Sequence, residues 1–314
     1  MMCVSRSEVA RVVTIQTSGA TDAPKRLYFT DLDLELTVDF FHHGMTTLAL
    51  PGARVLILMP GRTPGSIGDL LKKALVRMNA VGQVHGPIND PGRAVDDLLD
   101  MRADCLVGLP IQVLGLVRHP RGRDIPKGLI RSVLLSADYV PDAVVDELEE
   151  RWESPVFEHY GMTEMGLGGG VQCEVREGYH LREADLLFEI IDPETGNPVP
   201  DGEPGEVVFT TLTRQGMPLI RYRTGDLARF LPGPCPCGSS LRRLEKVRGR
   251  IAGRVPLEAG GSLSLPEMDE VLFRVPGILN YRAELTREKG RDRLGLQVYS
   301  VPEGRPSWRR PEDA

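Results

Sequence analysis

Six stretches of this chain hold residue types and spacings that could do chemistry. The first is Thr17-Ser18-Gly19-Ala20-Thr21-Asp22-Ala23-Pro24-Lys25, directly after the apolar run Val12-Val13-Thr14-Ile15. It strings hydroxyls, a glycine and a lysine together. Such a loop can aim backbone N–H groups, hydroxyls and an ammonium at one anion, as gripping a nucleotide phosphate requires. The G-x-x-x-x-G-K-[ST] spacing is missing, because Lys25 follows a proline and no hydroxyl follows it. Taken alone, a Ser/Thr/Gly/Pro cluster after a strand is more often a plain turn. Four more stretches follow in order: Ser136-Ala137-Asp138-Tyr139, Tyr160-Gly161-Met162-Thr163-Glu164, Gly205-Glu206-Val207-Val208-Phe209 and Tyr222-Arg223-Thr224-Gly225-Asp226. Singly, Glu164 also reads as a solvated loop carboxylate, Asp226 as an Asx-turn residue after Gly225, and Tyr160 as a core ring.

The sixth is a thiol–imidazole set, Cys173-x6-His180 followed by Cys235-x-Cys237. Three thiolates and one imidazole can close a tetrahedral structural zinc site. Pro234-Cys235-Pro236-Cys237-Gly238 has the tight-turn chemistry that lets two sulfurs face one ion. The spacing is not that of a zinc finger, so buried free thiols beside a surface histidine remain the alternative. Cys105, in an apolar run, reads as a core thiol.

Strand–helix alternation would position these residues. Val55-Leu56-Ile57-Leu58-Met59, Cys105-Leu106-Val107-Gly108 and Ile130–Leu135 read as buried strands. Helices are expected over Asp31–Leu50, with Leu32, Leu34, Leu36, Phe40, Phe41 and Met45 inward, over Ser66–Ala80, after Pro110 and over Pro141–Trp152. A short strand at Pro155–Phe157 precedes Tyr160. This pattern argues for an α/β fold with a partly parallel sheet. Beyond Gly168 the strand-like runs Leu186–Ile191, Gly205–Thr211 and Leu219–Tyr222 alternate with Pro/Gly/Asp turns, which predicts a small β-rich subdomain. Glu267–Val275 reads as a helix and Gly295–Ser300 as a strand. Gly168-Gly169-Gly170 reads as a mobile or closely packed loop that could also line a substrate pocket.

Bulk properties exclude several classes. A chain of 314 residues with 41% hydrophobic content can bury a real core. A net charge of −6 gives no electrostatic case for nucleic acid. No apolar run reaches membrane-spanning length, and the N-terminus has no secretory pattern. Five cysteines, an odd count, suit a reducing cytoplasm better than a disulfide scaffold.

Together, in this order and at these intervals, the phosphate-loop candidate and the four stretches after it resemble the ANL superfamily of adenylate-forming acyl-CoA and aryl-CoA synthetases. The run FTTLTRQGMPLIRYRTGDL is most similar to the phenylacetate-CoA ligase branch. The resemblance covers about residues 14–250. It implies a large α/β adenylation domain at residues 1–247, with mixed sheets (an α/β part at 1–167 and a β-rich part at 168–247), and a shortened C-terminal domain at 248–314. It also implies an ATP-dependent ligase that activates a carboxylic acid, aromatic in this branch, to acyl-AMP and then to acyl-coenzyme A. Thr17, Ser18, Gly19, Thr21 and Lys25 would hold the β- and γ-phosphates, and Thr163 would bond a phosphate. Glu164 would ligate Mg2+. Ala137, Asp138 and Tyr139, with Tyr160 and Gly161, would flank the adenine. Asp226 would accept from both ribose hydroxyls, and Arg250 would contact ribose or phosphate.

The sequence departs from the family at three points. Little chain precedes the phosphate loop. Asp22 stands where the family has glycine, putting a negative charge beside the phosphates. Gly249-Arg250 is followed by Ile251-Ala252-Gly253, and no late glycine-lysine segment supplies the adenylation lysine. These departures keep two alternatives open: a truncated nucleotide-binding or partner-dependent protein without its own turnover, and AMP transfer to a cofactor hydroxyl. A missing cover over the large domain also suggests a homodimer.

Overall fold

The computed structural model describes residues 2–15, 25–288 and 290–301. The expected phosphate-loop residues Thr17, Ser18, Gly19 and Thr21, with Asp22, lie outside the described residues.

Strands β1 (Arg11–Ile15) and β2 (Lys25–Phe29) pair antiparallel, with Ile15 opposite Lys25. Helix α1 (Asp31–Met45) follows immediately. Thr30 Oγ1 accepts from Asp33 N at 3.1 Å and Asp33 Oδ2 accepts from Thr30 N at 2.9 Å, a reciprocal cap. The helix ends at Met45 rather than Leu50, and its buried stripe is Asp33, Thr37, Val38, Phe41 and Met45. Leu32, expected inward, is 58% exposed. The rotation follows from Asp33, whose carboxylate also accepts from Gln215 N at 2.8 Å and Gly216 N at 2.9 Å. A carboxylate with several N–H partners can be buried, and it takes the inward position.

Alternation continues through β3 (Arg54–Ile57), α2 (Ile67–Arg77), β4 (Val81–Val84), α3 (Pro91–Met101), β5 (Cys105–Gly108), α4 (Pro110–Arg118), α5 (Pro120–Arg123), β6 (Ser132–Leu135), α6 (Asp142–Trp152) and β7 (Val156–Tyr160). These five strands lie parallel in the order β4-β3-β5-β6-β7. The chain steps one way from β3 to β4 and the other way afterwards. Right-handed crossovers then place α2 with α1 on one face and α3, α4 and α6 on the other. Val55, Ile57 and Phe157 pack towards α1 and α2, while Leu56, Val133 and Val156 pack towards α3, α4 and α6. Burial on both faces makes these strands read as continuous apolar runs.

Next come β8 (Gly170–Val171), β9 (Tyr179–Leu181), β10 (Leu186–Ile191), β11 (Gly205–Thr211), β12 (Tyr222–Ala228), β13 (Phe230–Leu231) and β14 (Arg243–Leu244). Strands β8, β9, β14 and β13 extend the parallel sheet antiparallel to nine strands, whereas β10, β11 and β12 form a separate antiparallel sheet. Strands on both sides of Gly168 therefore share one sheet. The chain continues with β15 (Arg254–Pro256), β16 (Ser262–Ser264), α7 (Leu265–Leu272), β17 (Ile278–Glu288) and β18 (Arg291–Ser300). Phe273 and Ile278 enter the core beside α4 and α6, and Arg118 Nη2 donates to Phe273 O at 2.6 Å. The expected α/β architecture with mixed, partly parallel sheets is what the chain forms. Among the described residues no helix is long and apolar enough to cross a membrane.

Candidate functional site

The site lies beyond the C-terminal ends of the parallel strands, where open α/β sheets form their ligand crevices. Tyr160, the last residue of β7, donates its hydroxyl to Asp226 Oδ2 at 2.9 Å. Arg250 Nε donates to Asp226 Oδ1 at 2.7 Å, and the two residues also form a backbone bridge. Asp226 is only 3% exposed, and both of its oxygens are engaged. Burial first, and then the Asp226 charge, push the Tyr160 phenol well above its ordinary pKa, so it stays a donor. Tyr160 stacks on Tyr179 with centroids 5.8 Å apart.

Gly161 and the short turn Thr163–Met165 follow β7. A Cβ on Gly161 would lie 2.9 Å from Gly168 Cα, so the turn folds this closely only without a side chain there. Glu164 Oε1 accepts from the Tyr222 hydroxyl at 2.9 Å and lies 3.7 Å from Lys25 Nζ. Lys25 Nζ donates to the same Tyr222 hydroxyl at 2.6 Å. Burial alone would lower the Lys25 pKa, but Tyr222 and Glu164 outweigh it and the net direction is up. Arg214 Nη1 fixes the turn by donating to Glu164 O at 2.6 Å.

The stretch after β6 joins from the other side. Ala137 holds φ +71°, a left-handed conformation costly for a residue with a Cβ. Asp138 Oδ1 accepts from Tyr139 N at 2.8 Å. The Tyr139 hydroxyl donates to Glu270 Oε1 in α7 at 2.6 Å, so this ring is anchored to the C-terminal part. Lys246 Nζ lies 5.4 Å from the Tyr139 ring centre and bonds Glu158 Oε1 at 2.8 Å, while Tyr179 donates to Glu158 Oε2 at 3.0 Å. Lys246, Glu158 and Tyr179 thus link the Tyr139 side to the Tyr160–Asp226 side.

Three of the described site residues named from the sequence meet around one carboxylate: Tyr160, Asp226 and Arg250. Lys25 and Glu164 meet at the Tyr222 hydroxyl. Tyr222 and Arg214 carried no role in the sequence reading. Tyr222 stood inside a recognised run, but only the fold shows that its hydroxyl reaches Lys25, 197 positions away.

On the α1–α2 face, next to this site, lies a cavity with about 420 Å³ of atom-free space, part of it open to solvent. Phe40, Phe41, Met59, Leu71 and Val107 give it apolar walls; Ser136 and His159 also line it but expose no polar atom to it. The triglycine is closely packed: a Cβ on Gly168 would lie 2.2 Å from Phe40 Cε1.

The four expected metal ligands also converge. Their donor atoms all lie within 4.8 Å of one another. Cys173 Sγ is 3.7 Å from Cys235 Sγ, and Cys237 Sγ is 3.4 Å from His180 Nε2. Pairing of β9 with β14, which sets His180 opposite Arg243, brings the Cys235–Cys237 turn back over His180. Cys3 is exposed, and Cys105 is a core thiol whose pKa burial pushes up to about 12.

The sequence pattern of the family described as "AMP-binding enzyme" matches residues 11–213. The chain belongs to this family. It is 30% identical over 309 residues to a phenylacetate-coenzyme A ligase of Thermus thermophilus, covering 95% of this chain and 67% of that protein. Against a phenylacetate-coenzyme A ligase of Aromatoleum evansii it is 33% identical, covering 96% and 68%. The structure of a 2-hydroxyisobutyryl-CoA ligase, solved in the postadenylation state with R3-HIB-AMP, superposes with a TM-score of 0.81 at 24% identity. That match covers 95% of this chain and 63% of the other, so the chain spans about two thirds of these relatives. The resemblance to adenylate-forming ligases of the phenylacetate-CoA ligase branch is therefore borne out.

Proposed function

We propose that this chain is an ATP-dependent, adenylate-forming ligase that converts a carboxylic acid to acyl-AMP and then to the coenzyme A thioester. Its phenylacetate-CoA ligase relatives support this reading. The observation that carries it is the convergence of Lys25, Tyr160, Glu164, Asp226 and Arg250 at the C-terminal ends of the parallel strands. An aromatic acid suits a cavity walled by Phe40 and Phe41.

In this reading the acid's carboxylate oxygen attacks the α-phosphorus of ATP and pyrophosphate leaves. The coenzyme A thiol then attacks the acyl carbon and AMP leaves. The protein positions and neutralises rather than attacks. Asp226 takes the ribose hydroxyls, exchanging its bonds to Tyr160 or Arg250 for them. Arg250, whose side chain is 57% exposed, is free to turn towards the phosphates. Lys25 neutralises the outer phosphates, and Thr163 offers a hydroxyl to them. Glu164, a hard oxygen donor beside Lys25, fits a Mg2+ ligand; when bound, the ion disperses charge on the triphosphate. Ala137, Asp138, Tyr139 and Gly161 border the adenine side. The residues also fit zinc at Cys173, His180, Cys235 and Cys237, in a structural role away from the reaction. Free cysteines suit a cytoplasmic location.

Pyrophosphate release across a panel of aromatic and aliphatic acids, with mass spectrometry of the products, tests the reading. A coenzyme A thioester is expected. An adenylylated alcohol, or no release with any acid, would remove it.

A further inference from the structure

Lys25 and Glu164 carry opposite charges and face each other, yet they make no direct hydrogen bond. Lys25 Nζ and Glu164 Oε1 stand 3.7 Å apart, beyond hydrogen-bond reach. The Tyr222 hydroxyl bridges the interval. It accepts from Lys25 Nζ at 2.6 Å and donates to Glu164 Oε1 at 2.9 Å. Lys25 opens β2, Tyr222 opens β12, and Glu164 lies in the short turn after β7, so three separate elements supply the three groups.

Each group is held from behind. Tyr222 lies opposite Phe209 in the β11–β12 pair, with ring centres 5.3 Å apart, and Phe209 is fully buried. The phenol ring therefore has a rigid base. Lys25 lies opposite Ile15 in the β1–β2 pair, and its Nζ is 4.6 Å from the Tyr222 ring centre. Arg214 holds the turn at Glu164 O. The Lys25 side chain is 36% exposed and that of Glu164 12%, so both keep surface open to solvent.

An ammonium and a carboxylate that meet without a spacer close to a charge-assisted hydrogen bond of about 2.7–2.9 Å. A ligand that brings both an anion and a cation must first break such a pair. A phenol hydroxyl can accept from the ammonium and donate to the carboxylate at once, which a ring C–H cannot. Among the described residues Lys25 Nζ makes one hydrogen bond and Glu164 Oε2 makes none. The bridge thus leaves each charged group with bonding capacity to spare.

We propose that Tyr222 is a positioning residue for the triphosphate. Its hydroxyl keeps Lys25 and Glu164 aligned but apart, so that the ammonium meets the outer phosphates and the carboxylate meets their Mg2+ without an ion pair to break first. This rests on the ligase reading above.

Calorimetric titration with ATP–Mg2+ and, separately, with AMP, which lacks the outer phosphates, tests the inference without turnover. Tyr222→Phe keeps the ring against Phe209 and removes only the hydroxyl. It should weaken ATP–Mg2+ binding about tenfold, the scale of one hydrogen bond to a charged group, and leave AMP binding unchanged. Lys25→Met removes one of the two groups to be spaced, so adding Tyr222→Phe to it should change ATP–Mg2+ affinity by less than about twofold. Equal losses for ATP–Mg2+ and AMP, as a merely structural role would give, would overturn the proposal. So would unchanged ATP–Mg2+ binding, or a tenfold effect that persists in the Lys25→Met background. Pyrophosphate release separates the two readings. Release by the unaltered protein, with both nucleotides affected alike in the variant, sinks only this inference. A selective ATP–Mg2+ loss in a protein that releases no pyrophosphate with any acid sinks only the ligase reading. No binding of either nucleotide sinks both.

Discussion

The cysteine–histidine cluster is spaced as the ligands of a tetrahedral zinc ion would be. Zn–S bonds of about 2.3 Å and Zn–N bonds of about 2.0–2.1 Å at tetrahedral angles put sulfurs about 3.8 Å apart and sulfur and nitrogen about 3.5 Å apart. The observed separations are 3.7 Å for Cys173 to Cys235 and 3.4 Å for Cys237 to His180. The four ligands come from β9 and from turns 62 positions apart in sequence, so one ion would pin the antiparallel end of the large sheet. With free zinc at 1,000 times the dissociation constant, binding adds about 4 kcal/mol to stability. In a chain of this size that is roughly 10 °C in melting temperature. Protein purified without chelator should carry about one zinc per chain by elemental analysis, as four closed ligands imply. Cys237→Ser should lose the metal and melt lower, while Cys3→Ser, which alters an exposed thiol outside the cluster, should keep both. Metal-free protein with all three cluster thiols open to alkylation in the native state would refute the reasoning.

Three further outcomes follow from other parts of the molecule. Asp226→Asn replaces the buried carboxylate that would accept from the ribose, and a lost charge-assisted bond should weaken ATP–Mg binding by about 1.5–3 kcal/mol in calorimetry; equal affinity would remove the ribose assignment. Lys246→Met strips the ammonium from Glu158, whose side chain is 7% exposed, and should destabilise the fold by about 3–5 kcal/mol in urea unfolding, with Glu158→Gln in the same background recovering much of it. Asp269 has its pKa raised to about 6, by burial first and then by Asp138 and Glu270, against the hydrogen bond from Tyr281. A carboxyl raised above its unfolded value of about 3.9 contributes stability that is present at lower pH and is lost as pH climbs through about 6. Asp269→Asn should therefore flatten the pH dependence of stability between those values; parallel curves for both proteins would contradict the assignment.

The residues with fixed local chemistry were legible in the sequence. Strand β5 matches Cys105–Gly108, and β10 and β11 match their expected spans, because continuous apolar runs bounded by turns have few other solutions. Strand β4 and helix α3 went unread. Gly82 and Gln83 hide the pattern of β4, whereas α3 did carry a local signal, the Asp90 cap, Pro91 at the first turn and the inward Ala94, Val95 and Leu98 at helical spacing. Strand β7 runs to Tyr160 rather than ending at Phe157, because Glu158 and His159 look like loop residues until their partners are known. Each is a strand residue whose polar group is met across the fold, Glu158 by Lys246 and His159 by Ser136.

By itself, the amino-acid order determined the alternation of elements, the family and the candidate residues, since these depend on residue type and short spacing. Tertiary structure alone decided which polar atoms meet. It turned Leu32 outward because Asp33 finds N–H partners almost two hundred positions on, and it set Tyr222 between Lys25 and Glu164. It also closed four cysteine and histidine side chains within bonding range of one ion, and left His159 Nε2 buried without a hydrogen-bond partner among the described residues. Such pairings depend on distances of a few ångströms between segments far apart in the chain, and no local pattern encodes them.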